Sequence, residues 1–596
     1  MANHPTDSIQ QQEAGRFQKL IEIGIALSAE PDKSRLMETI LLQAKELTNA
    51  DGGTLYLHTD DELRFEIMRS DTLGIALGGT TGQPITFPPL RMYDAATGEP
   101  NHQNVATHAA LTNRSVNIPD AYASDEFDFS GTRKFDAETG YRAQSFLTVP
   151  LTNHEGRVTG VLQLLNARDS SDQVIAFSES VQPLVEALAS QAAVALDNRL
   201  LLEAQRALLD SFIELIASAI DAKSPYTGGH CQRVPELCQM LVRAACQATD
   251  EPFADFDLSE EDLYELHIAS WLHDCGKVTT PEYIVDKATK LETIHDRIHE
   301  IRTRFEVVKR DVEIAYLRGR LEGTDDEPTL RERRDERLAE LDEQFAFVAE
   351  CNIGGEFMSE DRIARLREIA TTTWMRTLSD RIGLAHGAAK RMAGTPAPEL
   401  PVEEHLLADK PEHIIPRGPE DQLPEDDSHG FKLDVPEHKY NLGEVYNLSI
   451  TRGTLTAEER FKINDHIVQT ITMLEALPFP RHLARVPEYA GGHHETLVGT
   501  GYPRGLRKED MSIPARSMAI ADIFEALTAS DRPYKKAKTL SQSVRIMSFM
   551  RNDQHIDPDL FELFLRSGIY KTYAERFLEP SQIDEVDIEQ YLSGDG

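Results

Sequence analysis

Histidine and aspartate recur in five short segments of the C-terminal half: GGHCQRV (228–234), WLHDCGK (271–277), INDHIVQ (463–469), GGHHETLVGTGYP (491–503) and AIADIFEALTASDRPYKK (519–536). Neutral imidazole and carboxylate suit Zn, Mn, Fe and Ni, and no CxxC pair stands beside them to suggest a structural zinc cage. One such histidine is most often a surface or satisfied core residue; five segments of this kind together point to a metal site. Adjacent His273 and Asp274, read on one helix, diverge by roughly 100°, so both reach ions at one helix face. A carboxylate bridges two ions where imidazole cannot, which makes Asp274 the natural bridge. Lys277, one turn along, places an ammonium where a phosphate oxygen would lie.

WLHDCGK resembles the metal signature of the HD superfamily, and HHETLVGTGYP resembles the HHxxxxGxGYP element that names the HD-GYP family. The likeness continues in AIADIFEALTASDRPYKKA and covers roughly 205–300 and 450–555. It implies an all-helical domain that hydrolyses cyclic di-GMP to pGpG, and in some members to GMP, at divalent ions, iron or manganese. Carried over residue by residue, the implied ligands are His230, His273, Asp274, His466, His493, His494 and Asp522. The first ion would take His230, His273, Asp274 and Asp522, with Asp274 shared with the second. Lys277 would hold the scissile phosphate, and Arg532 and Lys535 match positions that contact the GYP loop or the nucleotide. Gly501, Tyr502 and Pro503 form a tight loop by composition, since Gly permits unusual backbone angles and Pro fixes its own, and the loop is read as positioning substrate. Members with a third ion carry Glu four residues before the first histidine; Tyr226 stands there, so two ions are expected.

The elements that must position these residues are interrupted. In ordinary members a Gly-x-Leu-Thr-x-Glu-Glu helix start follows soon after the HD signature, but here GTLTAEERFKINDH comes only at 453–466. Residues 225–300 and 454–580 read as helices. Between them, roughly 300–350 reads as a charged antiparallel helical hairpin, and the Pro- and acid-rich 395–427 reads as loop. His295 and His299 lie nearer in sequence to Asp274 and compete with His466, whose context reproduces the family's.

In the N-terminal half, apolar positions at helical spacing in 16–29 and 35–49 precede strand candidates at 54–58, 63–70, 115–118, 143–151 and 159–167. With NIPDAY (117–122) and KFDAETGYRAQSFLTVPL (134–151), this order resembles GAF domains over about 16–198. Asn113-Arg114 and Asp136-Ala137 match a cyclic-nucleotide signature only in part, and Phe127 and Phe129 fit pocket or core. A small-molecule ligand and a purely dimerising role both stay open for this domain. From 178 to 222 the chain is nearly free of Gly and Pro and keeps an apolar stripe, which predicts a long linker helix and a parallel homodimer seam.

The 596 residues, 40% hydrophobic and 27% charged, predict several globular domains. No apolar run is long enough to insert in a membrane, and no secretory signal is evident, so a cytoplasmic protein is expected. A net charge of −38 opposes binding to nucleic acid polymers, though a small phosphodiester at a local cationic site remains compatible. The five cysteines are expected reduced and mostly buried. The predicted fold class is α+β: a GAF-like antiparallel sheet with flanking helices at 16–198, a linker helix at 178–222, and an all-α HD-GYP domain at 205–580 with a large insertion at 300–452. Residues 1–15 and 581–596 are expected as tails. Two rivals stand beside the cyclic di-GMP hydrolase: a catalytically silent signalling or scaffold protein, and a hydrolase of another cyclic dinucleotide.

Overall fold

The computed structural model describes residues 18–223, 229–355, 357–423, 429–530 and 537–592. The chain divides into two compact units, Met1–Leu209 and Asp210–Gly596.

In the first unit, a helix at 18–29 and a helix at Lys33–Thr48 lead into an antiparallel sheet. Its strands are β1 (Ala50–Thr59), β2 (Glu62–Ser70), β3 (Ile75–Gly78), β4 (Leu90–Arg91), β5 (Val116–Ile118), β6 (Phe146–Thr152), β7 (Val158–Arg168) and β8 (Val174–Ile175). Their order is β3-β2-β1-β7-β6-β5, with β4 on β2 and β8 on β7. Both faces are covered, so side chains alternate between two apolar layers. Leu55 and Leu57 of β1 and Leu162 and Leu164 of β7 join Leu36, Ile40, Val185, Leu188 and Leu196 on one face. Tyr56 and Val161 turn to the other, with Met92 and Ala106. Phe127 and Phe129 pack there against Ile118 and Phe146, in core. The five strand candidates match β1, β2, β5, β6 and β7; β3, β4 and β8 are too short to carry a pattern of their own.

The linker helix is Gln182–Asp221. Its C-terminal residues Ile213 and Ile220 enter the core of the second unit with Val234, Leu241, Leu266, Tyr489, Phe524 and Phe564. That core is built by the helices His230–Gln247, Glu260–Leu272, Ala457–Glu475, Val486–Gly491, Ile513–Thr528, Leu540–Asn552, Pro558–Arg566 and Ile569–Phe577.

The interruption has an apolar core of its own, including Leu291, Ile301, Phe305, Leu341, Val348, Leu366 and Leu406. The expected hairpin is present as helices Ile298–Glu322 and Glu327–Asn352. The segment expected as loop departs from that reading in part. Strands β9 (Thr373–Arg376) and β10 (Val402–His405) pair, as do β11 (Ile414–Pro416) and β12 (His438–Asn441). These pairs form between segments far apart in sequence, where no local hairpin signal exists. Where the chain leaves and re-enters the helical bundle the two ends meet. The Thr454 hydroxyl donates to the Lys287 carbonyl at 3.0 Å, and the buried Lys287 ammonium lies 2.7 Å from both oxygens of buried Glu459. Glu459 also closes the capping box with Thr456 that begins the helix Ala457–Glu475.

Candidate metal centre

Four helices and one loop bring the donors together. His230 opens the helix His230–Gln247 after Gly229, which takes the left-handed conformation at φ 87°. Here the sequence expectation needs a correction: His273 and Asp274 do not share a helix interior. The helix ends at Leu272, His273 is its C-cap, and Asp274 begins a 3-10 turn over Cys275–Thr279. Packing explains the break. Gly276 lies so close to the helix Ala457–Glu475 that a Cβ would stand 1.9 Å from the His466 carbonyl oxygen, and its N–H donates to Thr470 Oγ1 at 2.9 Å. The tighter turn still places Lys277 Nζ against Asp274 Oδ2.

The helix Ala457–Glu475 carries His466, the loop after Val486–Gly491 carries His493 and His494, and Ile513–Thr528 carries Asp522. Seven side chains meet as two groups: Asp274 with His466, His493 and His494, and His230 with His273 and Asp522; within each, one donor atom per residue lies within 4.8 Å of the others. Asp274 faces both groups. Its Oδ2 lies 3.2 Å from His230 Nε2 and 3.3 Å from His273 Nε2, while its Oδ1 lies 3.2 Å from His466 Nε2. Asp522 Oδ1 is 3.3 Å from His230 Nε2, and the His466 and His494 Nε2 atoms are 3.2 Å apart.

Backbone carbonyls fix three of the rings: His273 Nδ1 donates to Ser270 O at 2.7 Å, His466 Nδ1 to Ile463 O at 2.5 Å, and His493 Nδ1 to Ala490 O at 2.7 Å. With Nδ1 protonated, Nε2 of each ring points inward as a lone pair. Two of these atoms, Nε2 of His273 and of His493, are buried without a hydrogen-bond partner, an arrangement costly for a protein that leaves them so and natural for metal ligands.

The electrostatics of His493, His494 and Asp274 agree with donor roles, whereas at His230 burial is outweighed by Glu525 and Asp274, which raise its pKa to about 10. Burial, then repulsion from His273, lowers the His493 pKa to about 4, so its imidazole is neutral near pH 7. Burial and the neighbouring His493 and His466 rings push His494 well down as well. Burial penalises the Asp274 carboxylate, yet Lys277 and His273 outweigh it and hold the pKa well below the ordinary value.

Glu525 was missed by the sequence reading. It is buried, accepts from His230 Nδ1 at 2.5 Å through Oε2, and takes Arg233 Nε at 2.8 Å on Oε1. Burial would raise its pKa, but His230 and Arg233 hold it at about 2. The available signal is spacing: Glu525 follows Asp522 by three residues and Arg233 follows His230 by three, each on one helix face.

The GYP loop is fixed from behind. Buried Glu495 accepts from the backbone N–H groups of Arg504 (2.7 Å), Gly505 (3.1 Å) and Leu506 (2.9 Å). A Cβ at Gly501 would stand 2.5 Å from Glu495 Cα and from Thr496 N, so the loop closes only on glycine. The Tyr502 ring stacks on His494, centroids 4.9 Å apart and planes at 20°. Pro503 is buried. His295 and His299 are exposed and lie outside both groups; His295 Nε2 is 3.4 Å from Glu300, and His299 Nδ1 pairs with Arg302 at 2.6 Å. Arg532, Lys535 and Tyr226 lie outside the described residues.

Comparison with known proteins places these features. One family model, the GAF domain, matches residues 32–196, and a second, the HD domain, matches residues 401–560. The chain carries a GAF domain and an HD domain. An HD domain implies divalent metal binding, and the donor set, with two orphaned buried Nε2 atoms, fits such ions. His230, His273 and Asp274 lie upstream of the matched HD residues, across the interruption, and the fold returns them to His466 and Asp522.

Among curated proteins, a cyclic di-GMP phosphodiesterase of Pseudomonas aeruginosa is 41% identical over 100 residues, 17% of this chain and 23% of that protein. The 3'3'-cGAMP-specific phosphodiesterase 1 of Vibrio cholerae is 42% identical over 83 residues, 14% of this chain and 19% of that protein. A cyclic di-GMP phosphodiesterase of Thermotoga maritima is 34% identical over 125 residues, 21% of this chain and 33% of that protein. The chain thus spans about a fifth to a third of the length of these relatives.

Proposed function

We propose that this protein is a metal-dependent phosphodiesterase that hydrolyses cyclic di-GMP to pGpG, with a catalytic domain at 205–580 regulated by the GAF domain. The observation that carries the reading is Asp274, which offers one oxygen to each of two histidine groups. The proposed ligands are His230, His273, Asp274 and Asp522 for one ion and Asp274, His466, His493 and His494 for the other. Iron or manganese suits a nitrogen and oxygen set without thiolate. Two such ions, when bound, would supply an activated water and would neutralise charge developing on the phosphate.

The protein's own residues do the rest. Lys277 is held by Asp274 and, swung toward the cleft, donates to an oxygen of the scissile phosphate. Its charge is secure: burial works against the ammonium, but Asp274 and Asp522 raise its pKa. Glu525 orients His230, and the Gly501–Tyr502–Pro503 loop walls the second group through the stack on His494. Arg532 and Lys535 are proposed to contact the nucleotide. With two ions, pGpG accumulates ahead of GMP.

The linker seam belongs to the same reading. Val194, Leu201, Leu208 and Leu215 recur every seven residues and are exposed at 41, 58, 57 and 63%. That repeat suits a parallel homodimer which passes the state of the GAF domain, with or without a small-molecule ligand, to the catalytic half. Among the described residues no helix is long and apolar enough to cross a membrane, and action in the cytoplasm is proposed.

The test is direct. Protein loaded anaerobically with Fe(II) or Mn(II) is incubated with cyclic di-GMP, and separately with 3'3'-cGAMP, and the products are resolved. Conversion of cyclic di-GMP to pGpG is expected. Turnover of 3'3'-cGAMP alone would reassign the substrate, and no turnover of either with any metal would favour a silent signalling or scaffold protein.

A further inference from the structure

The interruption does more than fill a gap between two parts of the metal-binding domain: its returning arm grips the loop that walls the second histidine group. The Lys432 backbone N–H donates to the Pro503 carbonyl at 2.7 Å. Arg504 Nε donates to the His429 carbonyl at 2.8 Å, and its Nη2 lies 3.1 Å from Glu475 Oε1. The other oxygen of Glu475 is 2.8 Å from His429 Nδ1. The His429 and Phe431 rings stack at 5.1 Å with planes at 12°, and the Arg504 guanidinium lies over Phe431 at 5.7 Å. Three parts of the chain are joined here: the interruption through His429, Phe431 and Lys432, the helix of His466 through its last residue Glu475, and the GYP loop through Pro503 and Arg504.

The grip has a short route to the donors. Pro503 and Arg504 directly follow Tyr502, whose N–H donates to the His494 carbonyl at 3.2 Å and whose ring stacks on the His494 imidazole. The buried Glu495 carboxylate holds the same turn from the inside. The loop is therefore clamped between Glu495 within and the arm without, and it can leave His494 only by breaking one of them.

We propose that His429, Phe431 and Lys432 are positioning residues for the catalytic loop, acting through Pro503 and Arg504 to hold Tyr502 on His494. This rests on the reading of His494 as a metal ligand. Planar Arg is suited to the junction because its fork bonds a carbonyl and a carboxylate while its face covers an aromatic ring, three tasks that lysine cannot combine.

The experiment uses the full chain with Phe431→Ala, Arg504→Ala, Arg504→Lys and the Phe431→Ala/Arg504→Ala pair. Amide hydrogen exchange is followed in peptides over 495–507, with peptides over 540–565 as the folding control, and kcat and KM are measured on cyclic di-GMP with Mn(II). In both single alanine variants the loop amides should exchange about 10-fold faster or more while the control stays protected. Arg504→Lys should fall between Arg504→Ala and wild type, and kcat should fall in the same order as protection. Two contacts of one clamp are not additive, so the pair should be little worse than Arg504→Ala alone. Unchanged loop exchange in both single variants would overturn the proposal, and so would fully multiplicative effects in the pair. Because exchange is read without substrate, a wild type that fails to turn over cyclic di-GMP counts against the functional reading and leaves this result standing.

Discussion

Asp274 presents one oxygen to His230 and His273 and the other to His466, so no other residue of the site can replace it. Asp274→Ala should abolish hydrolysis and lower the metal content of the purified protein, because the proposed site would then lose the carboxylate that faces both histidine groups. Retained metal with retained turnover would remove Asp274 from the centre. Glu525→Gln keeps the shape but loses the charge that faces His230 and Arg233, and metal affinity should fall by about 10-fold or more. Competition with a chelator measures this, and unchanged affinity would reduce Glu525 to a packing role. His295→Ala and His299→Ala should leave metal content and turnover as in wild type. The convergence of His466 with Asp274 was legible in the text around it, since GTLTAEERFKINDH resembles the family's helix start and the histidine that follows it as one unit. Glu525 was not, because its partners on another helix stand 295 and 292 residues away and only packing reveals the pairing.

Helix ends and loop closures were less readable than the elements themselves. The HD pair was expected within a helix, but the close approach of Gly276 to the helix of His466 ends it at Leu272, a constraint that depends on a tertiary neighbour. The GYP loop depends on its first glycine in the same way. Gly501→Ala would drive a Cβ into backbone atoms 2.5 Å away, which cannot rotate aside. A cost of about 1–3 kcal/mol is expected, with a lower Tm and a loss of turnover; an alanine variant that keeps wild-type melting and activity would mean that the loop is looser than described. In the interruption, Glu444 bonds Arg304 on both oxygens and is buried. Burial opposes its charge, but Arg304 prevails and the pKa lies below the ordinary 4.5. A depressed carboxyl contributes stability that is present above its unfolded pKa and is lost as pH falls through the folded value. Acidification below about pH 4.5 should therefore weaken the interruption, and Glu444→Gln should flatten that part of a melting curve against pH.

Across the whole chain, the seven-residue repeat from Val194 to Leu215 predicts a dimer at micromolar concentration by light scattering, and Leu208→Glu with Leu215→Glu should yield monomers. A monomeric wild type would leave the stripe without its proposed partner. Both units were foreshadowed in the sequence, because alternation in the strands and helical spacing are local properties that survive any tertiary arrangement.

The meeting of Lys287 with Thr454 has a consequence for how the molecule assembles. Gly276 and Thr470, whose contact seats Asp274 beside His466, are 194 residues apart, and Lys287 and Thr454 are 167 apart. Closing so long a loop from an unfolded chain costs entropy before any donor can meet another. An interruption that folds first on its own core brings Lys287 and Thr454 together and leaves only a few tens of residues to close, a saving of about 2 kcal/mol by the logarithmic dependence on loop length. Pulse-labelled exchange during refolding should then find the amides around Phe305 and Leu341 protected before those around Gly276 and Thr470; the reverse order would reject this sequence of events. On this account the segment that separates the two halves of the metal site in the gene product is also what makes their encounter fast.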